Sequence, residues 1–223
     1  MPLILHRTIE NGAIALWKIT EELEDLSQLA GLSTDDLITY SEISPLHRKK
    51  EWLATRSLLN LMMGKGTQIN YHNDGRPFLE NSHLNISISH TTGFVAIMLH
   101  EISLPGIDIE CLSRQVGRVA RRFLSPEELE FCTSEPELSN RKLLIHWCAK
   151  EAIFKMVPFS NIEFSTDILV SLNDATHNSG SFHGFFKWKL EEFLIHLEFL
   201  EENEVILVWG CTPELTQIGQ YKK

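Results

Sequence analysis

Apolar and polar residues alternate along Asn85-Ile86-Ser87-Ile88-Ser89-His90, and after Thr91-Thr92-Gly93 comes an almost unbroken apolar run from Phe94 to Leu99. Strand side chains repeat with period two, so this pair reads as a half-buried strand turning back into a buried one, a hairpin. Upstream, residues 13–19 form a short strand candidate, followed by acidic amphipathic stretches over 21–30 and 34–43. Trp52, Leu53, Leu58, Leu59, Leu61 and Met62 then recur at helical spacing. That pattern opens after Ser44-Pro45, a cap and first turn, and stops at Gly64, which predicts a long helix. Asn73-Asp74-Gly75 marks a turn. A third strand is expected over about 104–110, a short helix opening at Ser125-Pro126, and a second long helix over roughly 140–156. Strands return near 162–172, 184–190, 194–199 and 205–209.

Helix then strands, and helix then strands again, is the order of an α+β (α/β) chain built from two similar halves, 1–105 and 106–223, meeting near Pro105-Gly106. With 223 residues the chain is one large domain or two small ones, and 43% hydrophobic with 22% charged residues is ordinary for a packed core. No run approaches the roughly 20 apolar residues of a spanning helix, and no basic, apolar and small-residue leader opens the chain, so a cytoplasmic protein off the membrane is expected. The four cysteines, Cys111, Cys132, Cys148 and Cys211, show no C-x-x-C spacing, which speaks against both zinc and a disulfide framework. A formal net charge of -10 disfavours nucleic acid as a partner. A small anionic substrate would need cations gathered locally, or a metal ion bridging it to carboxylates.

In Gly106-Ile107-Asp108-Ile109-Glu110 the strand period sends both isoleucines to one face and both acids to the other. Trp147, Glu151 and Lys155 stand at i, i+4 and i+8 of the second long helix and share a stripe. Taken singly, the first is a solvated strand face and the second a surface pair worth about 0.2–0.5 kcal/mol. Should Glu151 pack against Asp108 and Glu110, like charges about 4 Å apart would repel by roughly 4 kcal/mol at an effective dielectric of 20, and a cation would be required. An all-oxygen set beside phosphate suits Mg²⁺, or Mn²⁺, better than zinc. Spacing alone leaves open whether the three converge.

The two segments together, residues 106–110 and Trp147-Cys148-Ala149-Lys150-Glu151-Ala152-Ile153-Phe154-Lys155, resemble the paired signature of 4'-phosphopantetheinyl transferases of the surfactin-synthetase-activating type. Asp74-Gly75-Arg76-Pro77, the strand Asn85–Thr91 and the segment from Phe123 to Glu128 are similar to three further motifs in the family's order, so the resemblance spans roughly residues 44–157. It implies a pseudo-dimer of two α/β subdomains with coenzyme A in the cleft between them, and transfer of the 4'-phosphopantetheine arm to a serine of an apo acyl or peptidyl carrier protein, releasing 3',5'-ADP. It also implies that Asp108, Glu110 and Glu151 hold Mg²⁺, and that Lys155 and His90 contact phosphate. Ser89 and Arg76 fall where neighbouring phosphate and nucleotide contacts are made. Glu151 or Glu128, directly or through a bound water, would take the serine proton.

The resemblance implies cations for the 3'-phosphate at the start of the first long helix, where Arg48 and then Arg56 are the candidates, with Lys49 and Lys50 either joining them or lying on a solvated helix face. Lys150 is expected near phosphate or paired with another carboxylate, Trp147 in packing, and Cys148 without redox chemistry. Residues 20–43 contain no Lys or Arg, so basic contacts that some family members draw from that region are absent or replaced. Carrier proteins are usually acidic, and Arg114, Arg118, Arg121 and Arg122 with Phe123 would receive one, or else form a solvated arginine-rich helix. Two other functions fit the same residues: a different divalent-metal phosphoryl-transfer or phosphodiester-cleaving enzyme, and a non-catalytic module that binds carriers. A duplicated fold makes a monomer the simpler expectation. Beyond about residue 160 no motif carries chemistry, and His177, His183 and His196 are too irregularly spaced to suggest a second metal site.

Overall fold

Two helices of 18 residues each lie on antiparallel sheets, and these two pairings make the two hydrophobic cores. The computed structural model describes residues 3–159 and 161–212, and the chain separates into the units Met1–Glu101 and Ile102–Lys223.

The first unit runs β1 (Leu3–Ile9), β2 (Gly12–Lys18), α1 (Leu23–Ala30), α2 (Thr34–Glu42), α3 (Leu46–Met63), β3 (Ile69–Tyr71), β4 (Pro77–Leu79), β5 (Asn85–Thr91) and β6 (Phe94–His100). Its four-stranded sheet has the order β1-β2-β6-β5. Leu53, Ala54, Leu58 and Leu59 of α3 pack with Ala15 and Trp17 of β2, Val95, Ile97 and Leu99 of β6, and Ile86 of β5. Ser33 and Asp36 form a reciprocal capping box at the start of α2. α3 begins one residue later than the sequence suggests: Pro45, not Ser44, holds the cap position, with no side-chain cap. β1 escapes the sequence pattern because it is an edge strand whose residues are only half-buried or exposed, without clean alternation. The Asn73-Asp74-Gly75 turn joins the short pair β3 and β4, and Gly75 takes a φ of 85° there, which a side chain would resist.

The second unit runs β7 (Pro105–Cys111), a 3₁₀ turn (Gly117–Val119), α4 (Ala120–Phe123), α5 (Pro126–Thr133), α6 (Ser139–Met156), β8 (Ile168–Ser171), β9 (Ser179–Trp188), β10 (Glu191–Glu202) and β11 (Val205–Cys211). The sheet order is β7-β11-β10-β9-β8, antiparallel at every step. The strand expected over 162–172 shrinks to β8, since the amides of Thr166 and Asp167 turn back onto the Glu163 carbonyl and Asp167 accepts from the Glu163 amide. The observed class is the α+β (α/β) class anticipated from element order.

Glycines set how closely α6 approaches this sheet. A Cβ built on Gly106 would stand 2.1 Å from the Ala152 carbonyl oxygen and 2.6 Å from Met156 Cγ. Gly210, the cross-strand partner of Gly106, would meet Leu197 Cδ2 at 2.8 Å, and Gly184 would meet Ile153 Cδ1 at 2.4 Å. At Gly106 the strand backbone therefore rests almost directly on the backbone of α6. Asp108 and Glu110 continue the face that Gly106 presents, so their carboxylates look toward the helix. Among the described residues, no helix is long and apolar enough to cross a membrane.

Candidate active site

β7 delivers Asp108 and Glu110, and α6 delivers Trp147, Glu151 and Lys155. The acid face of β7 is not solvated: Asp108 is 6% and Glu110 7% exposed. Lys155 Nζ donates to Asp108 Oδ1 at 2.8 Å and to the Ile107 carbonyl at 2.8 Å. Trp147 Nε1 donates to Glu110 Oε1 at 3.2 Å, and Arg114 pairs with the same carboxylate while its guanidinium lies 5.1 Å from the Trp147 ring centroid. Glu151, half-buried between Trp147 and Lys155 along the stripe, has its carboxyl pushed above the ordinary range. Burial is the main cause and the charge of Asp108 adds to it, while Lys155 and Arg114 oppose.

The donor chemistry is hard. Cys148, fully buried beside Asp108, has its thiol raised well above the usual range by burial and by that carboxylate, so it supplies no thiolate. Three carboxylates remain, and hard oxygen donors suit Mg²⁺ or Mn²⁺ better than zinc. Among the described residues no three His, Cys, Asp or Glu side chains are gathered closely enough to hold a metal ion as they stand. Lys155 pairs with Asp108 Oδ1 and Arg114 with Glu110 Oε1, oxygens for which a divalent cation would compete.

Lys150 pairs with a carboxylate, one of the two expectations for it, and that carboxylate is Glu128. Lys150 is fully buried; its ammonium donates to Glu128 Oε2 at 2.7 Å and to the carbonyls of Phe164 at 2.8 Å and Ile168 at 2.5 Å. Glu128 Oε2 also accepts from the Ser125 amide in the capping box of α5, and Oε1 accepts from the Val170 amide at 2.7 Å. All three ammonium protons and both carboxylate oxygens are engaged, so the pair ties α5 and α6 to β8. Phe123 is likewise interior, 2% exposed and edge-on to Trp147 at 5.1 Å, whereas Arg114, Arg118, Arg121 and Arg122 are exposed. Phe123 therefore orients Trp147 from beneath and is not part of an arginine-lined surface.

In the first unit, Arg48 and His90 come together. Arg48 Nη1 stands 3.1 Å from His90 Nε2 and donates to Glu51 Oε2 at 3.3 Å, and His90 Nδ1 lies 3.6 Å from the same carboxylate oxygen. Glu51 drew no attention in the sequence, yet it is the residue that positions both. The i, i+3 step from Arg48 was the available signal. Arg56 does not join them: its Nε donates to Asp36 at 2.8 Å and its guanidinium lies 3.2 Å from the Trp52 ring centroid, so it anchors α2 to α3. Arg76 folds onto its own turn, with Nε donating to Asp74 Oδ2 at 2.8 Å. Ser89 is buried on β5 one residue before His90.

A family model for the 4'-phosphopantetheinyl transferase superfamily matches residues 105–208. No curated protein matches the chain. The matched residues include β7, α6 and all three acids, and the match supports a transferase that moves phosphopantetheine from coenzyme A to carrier proteins. Over residues 105–208, the second unit is thus similar to the 4'-phosphopantetheinyl transferase superfamily.

Proposed function

We propose that the protein is a Mg²⁺-dependent transferase of the surfactin-synthetase-activating type that places the 4'-phosphopantetheine arm of coenzyme A on a serine of an apo acyl or peptidyl carrier protein. The observation that carries this reading is that Asp108 of β7 is bound by Lys155 of α6, on the helix stripe that also carries Glu151. In the reaction the serine Oγ bonds to the phosphorus nearer the pantetheine, and the bond from that phosphorus to the oxygen of 3',5'-ADP breaks. A divalent ion held by Asp108, Glu110 and Glu151 would offset charge on the phosphoryl oxygens.

Glu151 is the proton acceptor in this scheme. Its carboxylate is only half-buried, whereas Glu128 has both oxygens committed within the fold. Lys155, a quarter exposed, can turn from Asp108 toward a phosphoryl oxygen without leaving the site. Arg48 and His90 are the phosphate ligands of the first unit, held ready by Glu51. The exposed arginines 114, 118, 121 and 122 favour an acidic acceptor despite the net charge of -10.

Incubating an apo carrier protein with the chain, coenzyme A and Mg²⁺ should raise the carrier's intact mass by one phosphopantetheine group. Splitting of coenzyme A by water with the carrier unchanged would instead identify a phosphodiester-cleaving enzyme. A carrier that is retained but never modified would identify a binding module. For the phosphate ligands, Arg48→Ala should raise the KM for coenzyme A about 10- to 150-fold, the equivalent of a charged hydrogen bond worth about 1.5–3 kcal/mol, with a smaller change in kcat. Steady-state kinetics with varied coenzyme A measures this, and an unchanged KM would remove Arg48 from the phosphate site.

A further inference from the structure

The strand register brings together two histidines that lie thirteen positions apart in sequence. His183 of β9 pairs directly with His196 of β10, and their rings stand 5.6 Å apart, centroid to centroid, at 65°. Both side chains are exposed, because their neighbours Phe182, Ile195 and Leu197 turn to the core on the opposite face. A slip of one residue would drive both imidazoles into that core, so the pairing is fixed by the apolar pattern. Ser171 of β8 pairs with His183 and extends the same row. Neither imidazole makes a hydrogen bond or ion pair among the described residues, and ring contact with the other is what the fold gives each of them.

We propose that His183 and His196 form a two-imidazole site for a transition-metal ion such as Zn²⁺, Ni²⁺ or Cu²⁺, which clips β9 to β10 with water completing its coordination. Directly opposed strand residues have Cβ atoms about 4.5–5.5 Å apart, a span two imidazole nitrogens can close around one ion. Imidazole suits these metals, whereas Mg²⁺ and Ca²⁺ call for oxygen donors. Cys211 lies one step beyond the last β10–β11 pair, Leu197 with Gly210, on the face that carries His196. Burial raises its thiol to about 12, so it stays protonated and the ion depends on the two nitrogens. Among the described residues no third His, Cys, Asp or Glu closes the set. The site is therefore open, and it serves to pin the long hairpin.

Cu²⁺ titration with electron paramagnetic resonance, together with Zn²⁺ titration by calorimetry, tests the assignment on the whole chain. In the parent protein the bound copper should show coupling to two imidazole nitrogens. His183→Gln and His196→Gln should each reduce this to one and weaken Zn²⁺ binding by at least about tenfold, since losing a ligand costs no less than losing the outer-shell partner of one. His177→Gln, at a loop position 82% exposed, should bind as the parent does. The Mg²⁺-dependent transfer rate should be unchanged in His183→Gln. Two results would overturn the proposal: an unchanged nitrogen count and affinity in both histidine variants, or loss of the Zn²⁺ response in Asp108→Asn with its retention in His183→Gln, which would seat the ion on the acids of β7.

Discussion

In the absence of divalent metal, Glu151→Gln should unfold at a higher temperature than the parent, and with Mg²⁺ present it should transfer about 10²–10⁴ times more slowly. Both outcomes follow from one carboxylate. Burial and the Asp108 charge raise its proton affinity in the folded chain, so between the ordinary glutamate value and the raised one the native state binds more protons than the unfolded state. Stability accordingly falls as pH rises through that interval, and the full penalty is present above it. Glutamine carries no such penalty, so the variant's advantage should be absent near pH 4 and complete at neutral or mildly alkaline pH. Mg²⁺ should reverse the order by raising the melting temperature of the parent and not of the variant. Scanning calorimetry across pH, with and without Mg²⁺, reads all of this. A variant that melts below the parent at neutral pH without metal would show that Glu151 is not held against Asp108.

The second large effect concerns stability alone. Lys150→Met should cost about 3–5 kcal/mol, because it leaves the Glu128 carboxylate, 6% exposed, without its cation in the interior. Methionine keeps most of the side-chain volume, so the loss comes from charge and hydrogen bonding and not from a cavity. Adding Glu128→Gln should recover a substantial part, since the neutral amide no longer needs the ammonium. Urea unfolding of both single variants and the double variant measures the coupling. Additive losses would mean that the two residues do not act as a pair.

What the sequence disclosed about this site follows from periodicity, and what it concealed follows from long-range packing. The period of two correctly separated Asp108 and Glu110 from Ile107 and Ile109, yet it did not say which face would meet a helix; Gly106, already present in the motif, was the overlooked clue. Helical spacing put Trp147, Glu151 and Lys155 on one stripe. Lys150 is adjacent to Glu151 in the chain but about 100° around the helix, which turns it to another environment altogether. Its partner Glu128 was expected as a proton acceptor and not as half of an ion pair, for nothing local joins positions 128 and 150. Arg56 was misread for the same reason, since Asp36 reaches it from a different helix. Phe123 belongs to a helix of four residues, too short for any period to reveal its buried side. The histidines at 183 and 196 looked irregular because their spacing becomes meaningful only once a hairpin folds it in half.

The glycine seat under α6 has a further consequence. The helix rests on main chain at Gly106, so its height over the sheet there is set by atoms that no side-chain exchange can enlarge or trim short of replacing that glycine. The distance from Glu151 to Asp108 is thereby insulated from drift elsewhere in the interior. Lineages of this protein could exchange much of their apolar filling and still keep the gauge of their reactive centre.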